Sequence, residues 1–112
     1  MPRPKYRVSW TETAVGDLED ITVYIAVDSV GDALDVLAAI KEKAGTLLSF
    51  PERGRIVPDL KFHNIETYRE LIINPWRILY RIHENNVYVL AVLDGRRNIE
   101  EVLLERFLRR NL

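Results

Sequence analysis

Tyr6, Val8 and Trp10 alternate with Arg7 and Ser9, so residues 6–10 read as a short strand with one apolar face. From Ser9 the period changes. Ser9 and Glu12 have the spacing of a capping box, with Thr11 and Thr13 as competing N-caps. Ala14, Leu18, Ile21 and Ile25 then recur at helical spacing, while Asp17, Glu19, Asp20 and Asp28 lie off that stripe. This predicts an amphipathic helix with an acidic outer face. After the break at 28–31, a second helix is expected from about Asp32 to Ser49. Its stripe is Ala33, Leu37, Ile40, Ala44 and Leu47, widened by Leu34, Val36 and Leu48, and Pro51 ends it. So short a break implies an antiparallel helix hairpin.

Residues 50–67, "FPERGRIVPDLKFHNIET", show neither period and read as a long irregular stretch, punctuated by Arg53, Arg55, Lys61 and His63. Three strands follow, at roughly 68–73, 76–83 and 87–93. The last segment is a helix with Asn98 as N-cap and Glu100 and Glu101 in its first turn; Arg106, Arg109 and Arg110 near its end match the macrodipole. The order β-αα-βββ-α segregates strand runs from helix runs. The class is α+β, a helix hairpin packed on a small, mainly antiparallel sheet, in a single domain spanning 1–112.

The strands around Asn85 and Asn86 form a hairpin. With those two asparagines as the turn, one face carries Trp76, Ile78, Tyr80 and Ile82 with Val87, Val89, Ala91 and Leu93, and is the core face under the helices. The other carries Arg77, Leu79, Arg81 and His83 with Tyr88, Leu90, Val92 and Asp94, placing Arg77 opposite Asp94, Arg81 opposite Leu90 and His83 opposite Tyr88. Asn74-Pro75 does not fit such a turn, so whether Arg69 or Glu70 shares this mixed face stays open.

Composition narrows the classes. Apolar residues make up 47% and charged residues 29%, as in ordinary globular proteins. There is no cysteine, which excludes a disulfide framework and a thiolate zinc site and fits a reducing cytoplasm. The first ten residues contain no apolar signal region and no run is long enough for a membrane span. The net charge of −1 argues against a broadly basic nucleic-acid-coating protein. Charge is uneven, however: residues 1–50 carry five Lys/Arg against eight Asp/Glu, and residues 51–112 eleven against nine. A local basic patch in the second half is therefore expected.

The succession "WTETAVGDLEDITVYI", "FPERGRIVPDL", "YRELIINPWRILYRI" and "VYVLAVLDGRR" resembles the RelE/ParE superfamily of toxins from type II toxin–antitoxin systems, from Tyr6 to about Arg97. The resemblance implies a helix hairpin on a curved antiparallel sheet and a partner antitoxin that wraps the toxin. It implies one of two activities. RelE-like members cut mRNA on the ribosome without a metal, and ParE-like members inhibit DNA gyrase by binding it. A third reading is a degenerate member that retains only antitoxin binding. No cofactor is implied.

Carried over residue by residue, Arg77 in "WRILY" matches the arginine that approaches the scissile phosphate, Arg97 in "DGRR" matches a second basic residue, and Arg69 falls near basic residues of the preceding strand. Arg77 and Arg97 are thus the catalytic candidates if the chain is an interferase. Arg69, Arg77, Arg81, Arg96 and Arg97 are the candidates for binding antitoxin or target. Metal-free cleavage also needs a proton-transfer partner beside the phosphate clamps. Leu103 stands where RelE-like enzymes carry Tyr, and Asp94 where many ParE-like relatives have His. His63 and His83 match no catalytic position. With a net charge of −1 as well, the expectation is a ParE-like binding toxin, not an enzyme. Its antitoxin surface is expected on the mixed sheet face and the helix hairpin, where an acidic or amphipathic segment pairs Arg77, Arg81, Arg96 and Arg97.

Overall fold

The computed structural model describes residues 5–108. Arg109 and Arg110, expected near the end of the last helix, lie outside the described residues. Strand β1 (Arg7–Trp10) leads into helices α1 (Glu12–Ala26) and α2 (Val30–Gly45). Strand β2 (Arg55–Ile56), helix α3 (Pro58–Lys61), strands β3 (Tyr68–Ile73), β4 (Trp76–His83) and β5 (Asn86–Asp94), and helix α4 (Ile99–Leu108) follow. The order across the sheet is β1-β5-β4-β3-β2, antiparallel except for the β1–β5 pair. The expected α+β class therefore holds.

The caps decide the helix starts. Thr11 is the N-cap of α1, its Oγ1 accepting from Ala14 N at 3.2 Å, and Ser29 caps α2 by accepting from Asp32 N at 3.1 Å. The second helix is shorter than its stripe implies: it ends at Gly45 and a 3₁₀ turn covers Thr46–Leu48. Ala33, Ile40, Ala44 and Leu47 are buried as the stripe requires, whereas Leu34 and Leu48 are exposed. The irregular stretch holds two elements that the pattern did not show. Strand β2 is only two residues long, and α3 is a single turn with Pro58 in its first turn, too short for either period to register.

The hairpin departs from the expected register in two ways. The turn is Glu84-Asn85, one residue earlier, so His83 pairs with Asn86 and Arg81 with Tyr88. Glu84 adopts φ 55°, a conformation nothing in its side chain marks it for. Moving the turn by one residue preserves each residue's face, and Tyr80, Ile82, Val87 and Val89 pack under α1 and α2 as expected. The second departure does not. Tyr80 pairs with Val89 but Leu79 pairs with Ala91, so Leu90 is an extra residue on β5. That bulge turns the rest of the strand over. Val92 joins the hairpin-side core, while Ala91 and Leu93 face the opposite side beside Leu79 and Arg77. Arg77 is therefore opposite Leu93, and Asp94 is opposite Trp76.

The inversion builds a second core. Leu79, Ala91 and Leu93 are covered by Val57, Leu60, Ile99, Val102 and Leu103. The mixed face is thus buried at its centre by α3 and α4 instead of open to solvent. One carboxylate joins α1 to α4 around the β5 edge. Asp17 accepts Arg106 Nη2 at 2.7 Å, Arg106 Nη1 at 2.8 Å and Val92 N at 3.0 Å. The Asp17 hydrogen bonds, ahead of the opposing effect of burial, hold the Arg106 guanidinium above its ordinary pKa.

Candidate functional site

Arg77 sits where the covered face meets the Pro75–Gly95 end of the hairpin. Its Nε donates to Glu70 Oε1 at 2.6 Å and its Nη2 to Asp59 Oδ1 at 2.5 Å. Arg55 Nε donates to the other Glu70 oxygen at 2.8 Å. The local fold explains the meeting. Tyr68, Glu70 and Ile72 of β3 pair with Arg81, Leu79 and Arg77 of β4, and Arg55 of β2 pairs with Glu70. Glu70, not Arg69, therefore shares the mixed face, and α3 brings Asp59 over its end.

The arrangement is electrically closed: two guanidinium groups face two carboxylates. The Glu70 side chain is 0% exposed and that of Arg77 is 12% exposed. Burial opposes charge on both Arg77 and Asp59, but their mutual hydrogen bond and attraction, with Glu70 acting on Arg77, prevail. Arg77 is held above its usual pKa and Asp59 below its own. Asp59 therefore stays ionised, and Arg77 has its Nε committed to Glu70 and one Nη to Asp59.

An open groove of about 510 Å³ runs beside this cluster, with Arg55, Arg77 and Arg96 among its lining residues and Pro75 and Gly95 at its end. Gly95 is there for space: a Cβ would approach Pro75 O to 2.9 Å and Arg77 Cδ to 3.1 Å. Arg96 is also paired. Its guanidinium grips Asp94 at 2.9 and 2.8 Å, and those bonds lower the Asp94 pKa. Asp94 thus partners Arg96, not Arg77.

The five binding candidates do not form one surface. Arg77 and Arg96 flank the groove with Arg55, which the sequence reading did not select. Arg97 instead lines a cleft between α1 and α4 with Asp17, Asp20 and Arg106. Arg69 points to the hairpin side of the sheet and donates to Gly54 O at 2.8 Å. Arg81 lies further along the covered face, between Tyr68 and Tyr88 across the strands.

Groups able to move a proton are scarce around Arg77. Leu103 is buried in the second core. His63 is 3.8 Å from Glu100 and His83 is 3.9 Å from Glu84, and neither histidine lines the groove. The Tyr80 hydroxyl is consumed inside, donating to Pro51 O at 2.7 Å and accepting from Gly54 N at 3.0 Å. Burial raises its pKa. The signal for the neutralising residue was Glu70 itself, an acid inside the apolar strand "YRELII".

Relatives agree with this fold. Toxin ParE3 of Caulobacter vibrioides is 32% identical over 94 residues, covering 83% of this chain and 90% of that protein. Toxin RelE2 of the same organism is 30% identical over 92 residues, covering 81% and 97%. Putative toxin Y4kP of Sinorhizobium fredii is 32% identical over 99 residues, covering 87% and 96%. Among solved structures, a chain of the chromosomal ParDE toxin–antitoxin system of P. aeruginosa superposes with TM-score 0.67 at 20% identity, covering 80% of this chain and 96% of that one. A chain of the RelBE2 toxin–antitoxin complex of Mycobacterium tuberculosis gives 0.60 at 27% identity, covering 83% and 94%. Among the described residues no helix is long and apolar enough to cross a membrane. Residues 8–99 match the family described as the ParE toxin of the type II toxin–antitoxin system parDE, and the chain belongs to that family of toxins.

Proposed function

We propose that this toxin acts by ParE-like binding and inhibition of DNA gyrase, and that a cognate antitoxin silences it. The observation that carries the reading is the closed cluster around Arg77. A phosphate clamp needs an arginine whose donors can turn to an incoming anion. Here Glu70 and Asp59 already occupy Arg77, and an approaching phosphate would meet two fixed carboxylates. RNA cleavage would also need a base for the 2′-hydroxyl and an acid for the leaving oxygen. The carboxylates beside Arg77 are locked in ion pairs, and among the described residues no histidine or free tyrosine hydroxyl lines the groove. A gyrase inhibitor needs none of this chemistry. It needs a protein-binding surface, which suits a chain of net charge −1 better than ribosomal RNA does.

The test runs two assays on the same purified toxin: gyrase supercoiling of a relaxed plasmid, and mRNA cleavage in a translating extract. Inhibited supercoiling with intact mRNA is expected, and Arg77→Ala that still folds should retain it. Codon-dependent cleavage abolished by Arg77→Ala would replace this reading with the interferase one. For the antitoxin, Arg96 and Arg97 are the most open candidates. Affinity for the cognate antitoxin should fall in the Arg96→Ala/Arg97→Ala variant; an unchanged affinity excludes them from that interface.

A further inference from the structure

Arg77 and Arg81 project from the same face of β4 but keep different company. Arg77 is held by Glu70 and Asp59. Arg81 is in no ion pair among the described residues, and its Nε is buried without a hydrogen-bond partner. A buried donor left unpaired is costly and calls for an explanation.

The neighbours of Arg81 across the strands are aromatic. Tyr68 of β3 lies on one side and Tyr88 of β5 on the other, and all three side chains are half-buried. Three strands side by side make this row about 10 Å wide. Among the described residues the hydroxyls of Tyr68 and Tyr88 have no hydrogen bond, unlike that of Tyr80. The Tyr68 ring rests against Phe107 of α4, with centroids 6.1 Å apart at 51°. The Tyr88 ring has no aromatic partner among the described residues. Toward the hairpin tip the next row is Arg7, Asn86 and His83, and the carboxylate there, Glu84, lies 3.9 Å from His83. The row of Tyr68, Arg81 and Tyr88 itself contains no acid.

We propose that Tyr68, Arg81 and Tyr88 form a binding site for a mononucleotide, its phosphate on the Arg81 guanidinium and its base against Tyr88. A guanidinium only donates, and a phenol beside it can donate to the same acceptor, so the three groups together suit an oxyanion. The condition that Arg77 fails is the one Arg81 meets: no carboxylate holds it, so its Nε and Nη2 edge can turn to a phosphate. That turn also pairs the Nε. A phosphate has three oxygens for a fork and a flanking hydroxyl, whereas a carboxylate has two and brings no ring. The free ring of Tyr88 is a stacking surface, and bases stack on tyrosines of a sheet in this way. Tyr68, with its ring on Phe107, contributes its hydroxyl. A longer nucleic acid strand fits less well, because backbone binding needs many cations and this chain has a net charge of −1. The site goes beyond gyrase inhibition and does not depend on it, because the test uses neither gyrase nor growth arrest.

The probes are adenosine monophosphate, adenosine, inorganic phosphate and a single-stranded oligothymidylate, each titrated into the whole chain by calorimetry and mapped by amide chemical shifts. The expected result is sub-millimolar binding of the nucleotide, with adenosine and phosphate each about tenfold weaker or more. Shifts should be confined to β3, β4, β5 and the end of α4 around Phe107. Arg81→Met should abolish binding, and Tyr88→Leu should weaken it about tenfold while Tyr88→Phe, which keeps the ring, retains most of it. Arg81→Lys keeps the stem and the charge but not the fork, and should weaken binding with circular dichroism unchanged, so loss of the site is separable from loss of the fold. Lys41→Gln, on α2 across the sheet, should bind like the parent. No binding of the nucleotide, or parent-like binding by a folded Arg81→Met or Arg81→Lys, would overturn the proposal. Phosphate binding as tightly as the nucleotide would reduce the site to a plain oxyanion site and also overturn it. So would oligothymidylate binding more than about tenfold tighter than the nucleotide, which would assign the face to a strand, or shifts centred on Arg55, Arg77 and Arg96.

Discussion

Glu70→Gln is the sharpest test of the closed cluster. The substitution keeps shape and one acceptor but removes the buried negative charge between Arg77 and Arg55. At 2.6 and 2.8 Å both contacts are direct hydrogen bonds. The Arg55 contact contributes little, because that side chain is 60% exposed and solvent screens it. The Arg77 contact is different, with 12% and 0% exposure for the two partners. Removing one member of a buried pair typically costs about 3–5 kcal/mol, chiefly from the uncompensated charge left behind. Asp59 still holds Arg77 from the other side, so the expected loss is smaller, about 2–3 kcal/mol. For a domain of this size that lowers Tm by roughly 10 °C or more. Urea unfolding followed by fluorescence of Trp10 and Trp76 measures it. A double-mutant cycle with Arg77→Met should show coupling above about 1.5 kcal/mol. A Glu70→Gln variant within about 0.5 kcal/mol of the parent, or an additive cycle, would refute the claim that Arg77 is held by Glu70.

Other outcomes follow from the same geometry. Gly54→Ala should destabilise by about 2–4 kcal/mol, because the new Cβ would stand 2.6 Å from both Glu70 O and the Tyr80 hydroxyl; chemical denaturation reads it, and parent-like stability would show that the loop simply moves. Since Asp59 has its folded pKa held below 3.8, its contribution is fully present above that value and disappears as pH falls through the lower folded one. Stability curves of the parent and Asp59→Asn should therefore run parallel near neutrality and converge in acid, and a gap that persists at the lowest pH would contradict the sign. Asp17→Asn should speed hydrogen exchange across α4 and at Val92 while leaving the α1–α2 contact protected, which mass spectrometry of peptide fragments resolves; unchanged exchange would mean that α4 is held by its apolar contacts alone.

Much of this fold is legible in the sequence because its long elements are periodic. The α1 stripe and the alternation of β4 each turn the residues they mark toward the core, with Ala14, Leu18, Trp76, Ile78 and Tyr80 buried and Ile21, Ile25 and Ile82 packed against them, and the pattern needs no knowledge of the partner element. What the pattern misses are features one or two residues long. Strand β2 and α3 carry no period, yet they deliver Arg55 and Asp59 to the site. The Leu90 bulge is a single residue, yet it turns Val92 toward α1 and Ala91 and Leu93 toward α4. Local composition gives no reason for a bulge there, because Leu90 is apolar in an apolar strand. The reason is tertiary. Thr11 Oγ1 reaches Leu90 O at 3.4 Å, and Asp17 takes the Val92 amide where β1 has ended. The edge of β5 beyond β1 is thus satisfied by α1 side chains, and α4 gains the apolar face it needs. The muting of Arg77 has the same origin. The strand pattern sets Asp94 across from Arg77, but the carboxylates that hold Arg77 are Glu70 on β3 and Asp59 on α3. A fold-level resemblance carries an arginine from one family member to another, but whether that arginine is free depends on acids at positions the motif does not include.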